Sequence, residues 1–250
     1  MSRVRTSFPA PFNGSVVQSG RTLVSKTKCR WFKSILGRQI LLNLCYNKFN
    51  ESNSMATTFL VSDTHFGHAG VTKFMRRDGV TKLRPWDSVE EMDEELVRRW
   101  NDRVRPKDKV YHLGDVVINR KSLSIMDRLN GDKVLIKGNH DIFKLEDYSK
   151  YFRDVRSCHV LNGMILTHIP LHADSIGRFG TNIHGHLHEH RVMKSRMHFW
   201  KEIDPRFHCV CVEQTDYAPI SLEEVQQRVI AEGGKVGMRS REEVYGSSAS

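Results

Sequence analysis

The sequence predicts an α/β fold, and two observations lead to this prediction. Short apolar stretches of strand length alternate along the chain with segments whose apolar residues recur at helical spacing. Several of these apolar stretches also run directly into aspartate, asparagine or histidine. Because ligands of open α/β sheets bind at the carboxyl ends of the strands, the sequence indicates one polar site at one edge of the fold.

The first half of the predicted fold contains three strands and two helices. The strands are TTFLVSD, DKVYHLGD and DKVLIKGNHD, and a short helix around SLSIMDRL separates the last two. The longer helix covers DSVEEMDEELVRRWNDRV, where Ser88 and Glu91 form a capping-box pattern. Its predicted buried face consists of apolar residues at helical spacing: Val89, Met92, Leu96, Val97, Trp100 and Val104.

The second half begins with a predicted hairpin, CHVLNGMILTH, because Asn162 and Gly163 suit a two-residue type I′ turn. The stretch TNIHGHLHEH (181–190) follows, with histidine at every second position, so a strand there would place four imidazoles on one face. A late strand, HCVCVEQT, and a last helix, SLEEVQQRVIAEGG, complete the predicted fold.

The net charge of +10 comes mainly from residues 1–54, which hold nine Lys or Arg and one acidic residue. The rest of the chain has thirty basic and twenty-eight acidic residues, so we expect no strong nucleic-acid binding by this part. Three interpretations fit the composition of residues 1–54. They are a mis-assigned start upstream of Met55, a disordered extension, or a transit peptide. We predict a folded domain over 55–232 and a disordered tail over 233–250.

The cysteines and the apolar runs indicate the compartment. Five scattered cysteines, with Cys209 and Cys211 too close together for a zinc knuckle, are typical of a reducing compartment. The longest apolar run, ILLNLCY, is far shorter than the roughly 20 residues that span a bilayer. We therefore expect a cytoplasmic chain with no membrane partner, or an organellar one if residues 1–54 are a transit peptide.

Potential metal ligands follow the predicted strands in five separate segments. Oxygen and imidazole donors recur there without any thiolate, and they number seven: Asp63, His65, Asp115, Asn139, His168, His186 and His188. Seven donors are too many for one tetrahedral ion and suit two divalent ions that share a bridging carboxylate. The mixed oxygen and nitrogen donors favour borderline metals such as manganese, iron or zinc.

The motifs DTHFGH, GD, GNHD, a lone histidine after an apolar strand, and GHLH occur in this order. Their combination closely resembles the calcineurin-like metallophosphoesterase superfamily, and the short form is similar to its compact bacterial and phage members. The resemblance covers about residues 56–232. It implies a two-sheet β-sandwich flanked by helices, with a dinuclear metal site at the strand ends.

The resemblance also implies a role for each donor. The residues implied to hold the first ion are Asp63, His65 and His188. Those implied to hold the second ion are Asn139, His168 and His186, and Asp115 is implied to bridge the two. The implied cofactors are two divalent ions, manganese first, with iron, zinc or nickel as alternatives.

Further residues are expected to act on the substrate. The resemblance implies that His140 stabilises the transition state or protonates the leaving oxygen, and that Asp141 orients the imidazole of His140. Arg178 lies on a loop between motifs and is our first candidate to grip the phosphate. His68 and His172 lie within the motif segments and are expected near the phosphate or behind the ligands.

The implied activity is hydrolysis of a phosphoester by a hydroxide held between two metal ions. The aspartate after GNH resembles the phosphodiesterase-like branch, so the expected substrate is a phosphodiester or a nucleotide. One alternative is a phosphomonoesterase of the same fold. The others are a catalytically silent binding scaffold and a nucleic-acid-binding protein that acts through its basic leader.

Overall fold

The structure is a computed structural model, which describes residues 55–194 and 202–245. The predicted leader, residues 1–54, and residues 246–250 lie outside the described residues. The chain divides into two units, Met1–Met55 and Ala56–Ser250, and every element described here belongs to the second.

The first of two sheets has five strands. They are β1 (Thr58–Val61), β2 (Lys109–His112), β3 (Asp132–Ile136), β4 (Asp154–Arg156) and β9 (Ile220–Ser221). Their spatial order is β4-β3-β2-β1-β9; β1 to β4 run parallel, and β9 runs antiparallel to β1. The predicted strands β1, β2 and β3 are confirmed, whereas β4 and β9, each of three residues or fewer, carry too little periodicity to be predicted.

The second sheet has four strands in the order of the chain. They are β5 (His159–Leu161), β6 (Met164–Leu166), β7 (Asn182–His184) and β8 (Phe207–Cys209). The hairpin of β5 and β6 is confirmed, with left-handed φ values of 49° at Asn162 and 76° at Gly163 in its turn. The strands β6, β7 and β8 run parallel, so their carboxyl ends lie at the same edge.

The four α-helices of the described residues are short, apart from the first. They are α1 (Val89–Arg103), α2 (Leu145–Tyr148), α3 (Leu222–Ala231) and α4 (Arg241–Tyr245). Ser88 caps α1 by accepting the N–H of Glu91 at 3.1 Å, but the Glu91 carboxylate accepts from Asp87 instead of Ser88, so only half of the predicted capping box forms.

The other predicted helices compare as follows with the structure. The predicted last helix forms as α3, and a complete capping box between Ser221 and Glu224 starts it. The segment Arg120–Arg128, predicted as a short helix around SLSIMDRL, forms 3₁₀ turns. Within the described residues, no helix has the length and apolar character needed to cross a bilayer.

The hydrophobic core has two parts, one on each face of the first sheet. Strand β1 shows the division, because Phe59 and Val61 pack with α1 whereas Leu60 faces the second sheet. Leu166 and Ile183 of the second sheet meet Leu60 in the core between the sheets. The arrangement is a mixed α/β structure of two packed sheets flanked by helices. The α/β class predicted from the sequence and the two-sheet architecture implied by the resemblance are both confirmed.

The folded part extends past the boundary that we predicted at residue 232. The carbonyl of Lys235 accepts a hydrogen bond from Thr181 Oγ1 at 2.8 Å, and Met238 forms an antiparallel bridge with Phe179. These contacts could not be predicted from the polar composition of residues 233–245, because they use backbone groups that any sequence provides.

Candidate metal centre

The predicted ligands all follow the carboxyl ends of strands. Asp63 and His65 come after β1, and Asp115 and Asn139 come after β2 and β3. In the second sheet, His168 follows β6, and His186 and His188 follow β7. The backbone of the two sheets meets at this edge, where Ser62 and Cys211 form a parallel bridge. Parallel strands therefore deliver all seven side chains to one place.

The chain leaves the extended conformation at the ligands themselves. Five of the seven have left-handed backbone angles: Asp63 (φ 59°), His65 (φ 49°), Asp115 (φ 57°), His186 (φ 69°) and His188 (φ 50°). Side chains other than glycine rarely adopt this conformation, and it recurs at functional sites, where surrounding contacts maintain it.

The histidine-rich stretch is not one continuous strand. Strand β7 ends at His184, whose side chain is buried, and the chain turns sharply before His186 and His188. The four imidazoles do not share one strand face, because the left-handed residues break the two-residue alternation. His190, at the end of the stretch, is exposed.

The first ligand set consists of Asp63, His65 and His188, whose ligand atoms lie within 4.8 Å of one another. Asp63 Oδ1 is 3.7 Å from His65 Nε2 and 3.8 Å from His188 Nε2. Asp63 Oδ2 accepts hydrogen bonds from Ser62 Oγ at 2.6 Å, the His186 N–H at 2.8 Å and Cys211 Sγ at 3.1 Å. Oδ1 is buried and has no hydrogen-bond partner among the described residues, as expected of an oxygen that binds a cation.

The second ligand set consists of Asp115, His168 and His186, with Asn139 beside them. Asp115 Oδ2 lies 3.4 Å from His168 Nε2. Asn139 Oδ1 lies 2.8 Å from His168 Nε2 and 3.0 Å from His186 Nδ1, so the amide oxygen meets both imidazoles. His168 Nδ1 lies 2.7 Å from the carbonyl of Leu113, which fixes Nδ1 as the donor and leaves Nε2 for the centre.

Asp115 connects the two sets. Its Oδ2 atom lies 3.6 Å from His65 Nε2 of the first set and 3.4 Å from His168 Nε2 of the second. A single carboxylate thus faces both groups of imidazoles, which is the placement required of a ligand that bridges two ions.

Two glycines allow the segments to approach closely. A Cβ at Gly185 would collide with Ser62 Oγ and would lie 2.5 Å from Asp63 Oδ2. A Cβ at Gly138 would collide with the Asp115 carboxylate and lie 2.6 Å from the Asp115 nitrogen. Only glycine therefore fits where the second sheet meets Asp63 and where β3 passes Asp115.

The electrostatics of the centre keep its carboxylates ionised. Burial opposes the charge of Asp63, but the nearby imidazoles of His65, His168 and His188 lower the pKa of Asp63 far below its usual range. Burial would lower the pKa of His168, but the hydrogen bond to Asp115 and the two carboxylate charges raise this pKa to about 8. The site thus attracts positive charge, and a divalent ion would take the place of the imidazole proton.

The donors fit two divalent ions of borderline softness. Each set offers one carboxylate and two imidazoles, and Asn139 adds an amide oxygen. Within the part of the chain that the structure describes, the buried Asp63 Oδ1 has no hydrogen-bond partner. Oxygen and imidazole donors suit manganese, iron or zinc ions and not a structural thiolate site.

His140 is exposed at the mouth of the centre. Its ring centroid lies 5.6 Å from that of His65 in an edge-on arrangement, and its backbone N–H donates to Asp115 Oδ1 at 2.9 Å. An exposed imidazole beside the ligand sets has access to a substrate that binds there.

Asp141 has different contacts from those implied by the resemblance. Its buried carboxylate accepts the backbone N–H groups of Gly138 at 2.8 Å, Asp115 at 2.8 Å and Val116 at 3.1 Å. Among the described contacts, none joins Asp141 to the His140 ring. Both carboxylate oxygens accept from backbone donors, so Asp141 holds the loops that carry Asp115 and Asn139. Its implied role of orienting the imidazole stays a prediction.

The three predicted substrate contacts lie at different distances from the centre. The His68 ring lies 5.8 Å from the His65 ring, and its Nδ1 accepts the N–H of Val71. His172 is exposed and lines a cavity of about 740 Å³ beside Arg206 and Lys194. Arg178 is exposed, and its guanidinium stacks on Phe179 at 5.9 Å; no described contact joins it to the ligand sets.

Sequence reasoning missed two residues that contact the first set. Glu213 Oε1 lies 3.1 Å from His188 Nδ1, and the guanidinium of Arg84 contacts the same oxygen at 2.8 Å. The side chain of Arg84 is fully buried. The available signal was the position of Glu213, an acid that follows strand β8 as Asp63 and Asp115 follow their strands.

Comparisons with known proteins add to this geometry. A family model described as calcineurin-like phosphoesterase matches residues 56–220. An uncharacterized protein of Methanocaldococcus jannaschii, MJ1445, is 35% identical over 191 residues, which are 73% of this chain and 96% of the relative.

Two solved structures are also similar. The protein of unknown function AQ665 from Aquifex aeolicus is 24% identical, covers 69% of this chain and 99% of its own, and has a TM-score of 0.47. An archaeal phosphodiesterase is 19% identical, covers 60% and 82%, and has a TM-score of 0.34. At these TM-scores the likenesses carry no conclusion about activity.

The family assignment rests on the sequence match and agrees with the site. The family model spans β1 to the start of β9, which includes every residue of the two ligand sets. The chain therefore belongs to the calcineurin-like phosphoesterase family, whose members are metal-dependent phosphoester hydrolases.

Proposed function

We propose that the chain hydrolyses phosphodiester bonds at a centre of two divalent ions, manganese first. The observation that carries the proposal is the position of Asp115 Oδ2, 3.6 Å from His65 Nε2 and 3.4 Å from His168 Nε2. A shared carboxylate between two ligand sets favours two ions close together over two independent sites.

The bound ions would supply a nucleophile derived from water and neutralise charge on the phosphate. The first set would hold one ion and the second set, with Asn139, would hold the other, and Asp115 would be shared by both. His140 would donate a proton to the leaving oxygen as the phosphorus–oxygen bond breaks, which gives a phosphomonoester and an alcohol. Its exposed ring beside His65 supports this role.

The surroundings of the centre favour a diester over a monoester. A monoester carries up to about two negative charges at neutral pH because its second pKa is near 6, whereas a diester carries one. Arg84 directs its guanidinium at backbone carbonyls and at Glu213, and Arg178 stacks on Phe179 and has no described contact with the ligands. In the described residues, the accessible rings outside the ligand sets that contact His65 are those of His140 and His68, which suits a singly charged phosphate.

The alternatives receive less support from the described residues. A silent scaffold would lack ligands or His140, and the chain has all of them. A role in nucleic-acid binding through residues 1–54 lies outside the described residues. A phosphomonoesterase of the same fold uses the same ligands and is separated by the substrate experiment.

The test uses the full chain, stripped with EDTA and dialysed. We expect two manganese ions per chain on reloading, restored turnover, and a higher kcat/KM for bis-p-nitrophenyl phosphate than for p-nitrophenyl phosphate. Parallel loading with zinc, iron(II) and nickel ranks the metals. His190→Ala is the matched control, because His190 is an exposed histidine outside the two ligand sets.

Each other result selects an alternative. Faster turnover of the monoester would favour a phosphomonoesterase. Two bound ions without turnover of any phosphoester would favour a binding scaffold. A maximum of one ion at saturation would contradict the shared centre.

A further inference from the structure

Glu213 and Arg84 form a fully buried ion pair directly behind the first ligand set. Glu213 Oε1 accepts from Arg84 Nε at 2.9 Å and lies 2.8 Å from Arg84 Nη2. The same oxygen lies 3.1 Å from His188 Nδ1. Both charged side chains have an exposed fraction of 0%. Isolated buried charges are costly. The contact between Arg84 and Glu213, and the contact of Glu213 with the His188 imidazole, offset this cost.

The contact with Glu213 determines which nitrogen of His188 faces the centre. A carboxylate accepts hydrogen bonds only, so Nδ1 must carry the hydrogen. The lone pair is then on Nε2, which lies 3.8 Å from Asp63 Oδ1, the oxygen without another partner. Glu213 thus selects the tautomer of His188 that can bind an ion together with Asp63.

Arg84 extends this arrangement to the other ligands of the first set. Its Nη2 donates to the carbonyl of Asp63 at 2.5 Å, and its Nη1 donates to the carbonyl of Thr64 at 2.6 Å. These carbonyls belong to the left-handed segment that carries Asp63 and His65. One planar guanidinium therefore fixes the backbone of two ligands and the carboxylate that orients the third, which a lysine with a single nitrogen cannot do.

The second set has no such carboxylate in the described contacts. His168 Nδ1 is held by the carbonyl of Leu113, and His186 Nδ1 lies by the Asn139 amide oxygen. The ion pair thus acts on only one of the two metal positions. Loss of the pair should therefore affect one metal position and not the other, which a general structural role would not predict.

We infer that Glu213 is the positioning residue of the first metal position, and that Arg84 holds it there. Loss of the Glu213 carboxylate is expected to weaken the first ion selectively, by about 10- to 100-fold, while the second ion stays bound with its original affinity. The inference rests on the proposed pair of ions.

The experiment measures manganese binding to the full chain by isothermal titration and by metal analysis after dialysis. Glu213→Gln keeps the size of the side chain and removes its charge. The matched control is Glu189→Gln. Glu189 is a partly buried glutamate next to His188 in the histidine-rich stretch, and it pairs with Arg76 at 3.6 Å. We expect two ions in the wild type and the control, and one weakened ion in Glu213→Gln.

A second variant keeps the test decisive if Glu213→Gln fails to fold. The double variant Arg84→Met/Glu213→Leu replaces the buried pair with apolar side chains of similar size, a change that folded proteins tolerate. Thermal unfolding without metal shows that the variant is folded. It should also bind one ion weakly and one ion normally.

Unchanged affinity for both ions, or an equal loss of both, in a folded variant would overturn the inference. A wild type that binds only one ion would instead contradict the proposed dinuclear centre. The two failures are therefore distinguishable.

Discussion

The backbone N–H of His140 donates a hydrogen bond to Asp115 Oδ1 at 2.9 Å. The other oxygen of the same carboxylate faces both His65 and His168. The candidate proton donor and the candidate bridging ligand are thus joined by one contact, and this contact uses the main chain of His140. Substitutions at the two residues should therefore have different effects on metal binding.

Asp115→Asn should weaken both ions together. The amide lacks the negative charge that the two ligand sets share, and one of its two terminal atoms cannot accept the contacts that Asp115 makes with His65, His168 and the His140 N–H. Metal analysis and titration calorimetry on the full chain measure the effect. Retention of one ion at wild-type affinity would assign Asp115 to a single position.

His140→Ala should leave both ions bound and lower turnover by roughly 10²–10⁴-fold, the range for a positioned acid or base. The backbone N–H to Asp115 remains in this variant, so the carboxylate keeps its position. His186→Ala and His188→Ala are the comparison, because they remove ligand atoms and should lose metal. Equal metal loss in His140→Ala would show that His140 is a ligand.

Asp141→Asn should destabilise the loops of the centre. The carboxylate accepts three backbone N–H groups, and an asparagine nitrogen would direct its own hydrogens at the donors of Asp115 and Gly138. We expect a lower free energy of unfolding by about 1–3 kcal/mol, because buried donors lose their acceptor. Urea unfolding of the metal-free chain measures it. If the variant kept its stability and its turnover fell as far as in His140→Ala, the implied role of Asp141 in orienting the imidazole would be supported.

Much of the centre could be predicted from the sequence because its ligands follow apolar strands. The strand ends at Asp63, Asp115 and His168 show this directly, since strand pattern and ligand type are both local. The left-handed backbone at His186 and His188 could not be predicted, because contacts from distant segments impose it.

The role of Arg84 was hidden for a related reason. Its partner Glu213 is 129 residues away in the chain, and nothing near Arg84 indicates that the side chain is buried. A surface arginine and a buried one have the same local sequence pattern. Only the tertiary pairing distinguishes them.

Asp108→Asn should reduce stability in a manner that depends on pH. Burial opposes the charge of Asp108, but hydrogen bonds from the Arg105 guanidinium and from the N–H groups of Thr57 and Arg105 lower the pKa of its carboxyl. The folded state therefore favours the ionised form, and this stabilisation is complete above the ordinary pKa of about 4. It is lost as the pH falls through the lower pKa of the folded state.

The measurement is urea unfolding of wild type and variant at pH 7, 5 and 3. The free energy of unfolding of the wild type should exceed that of the variant by about 1–3 kcal/mol at pH 7 and pH 5, and this difference should shrink at pH 3. A difference that stays constant to pH 3 would show that the charge of Asp108 does not stabilise the fold.

A chain of residues 55–245 should fold, bind two ions and turn over substrate as the full chain does. The first strand, β1, has hydrogen-bonded neighbours on both sides, β2 and β9, so it offers no free edge that residues 1–54 would need to cover. The segment before it is anchored within the same unit, since the N–H of Thr57 donates to Asp108 at 2.9 Å.

The end point at 245 differs from the predicted boundary at 232 for a structural reason. A shorter chain that stops at residue 232 would lose the contacts of Lys235 with Thr181 and of Met238 with Phe179, which cover the start of β7. We therefore expect residues 55–245 to match the full chain in urea midpoint, metal content and kcat/KM, and residues 55–232 to unfold at lower urea. An insoluble or inactive 55–245 chain would show that residues 1–54 are needed for the fold, and equal midpoints for both truncations would show that residues 233–245 add no stability.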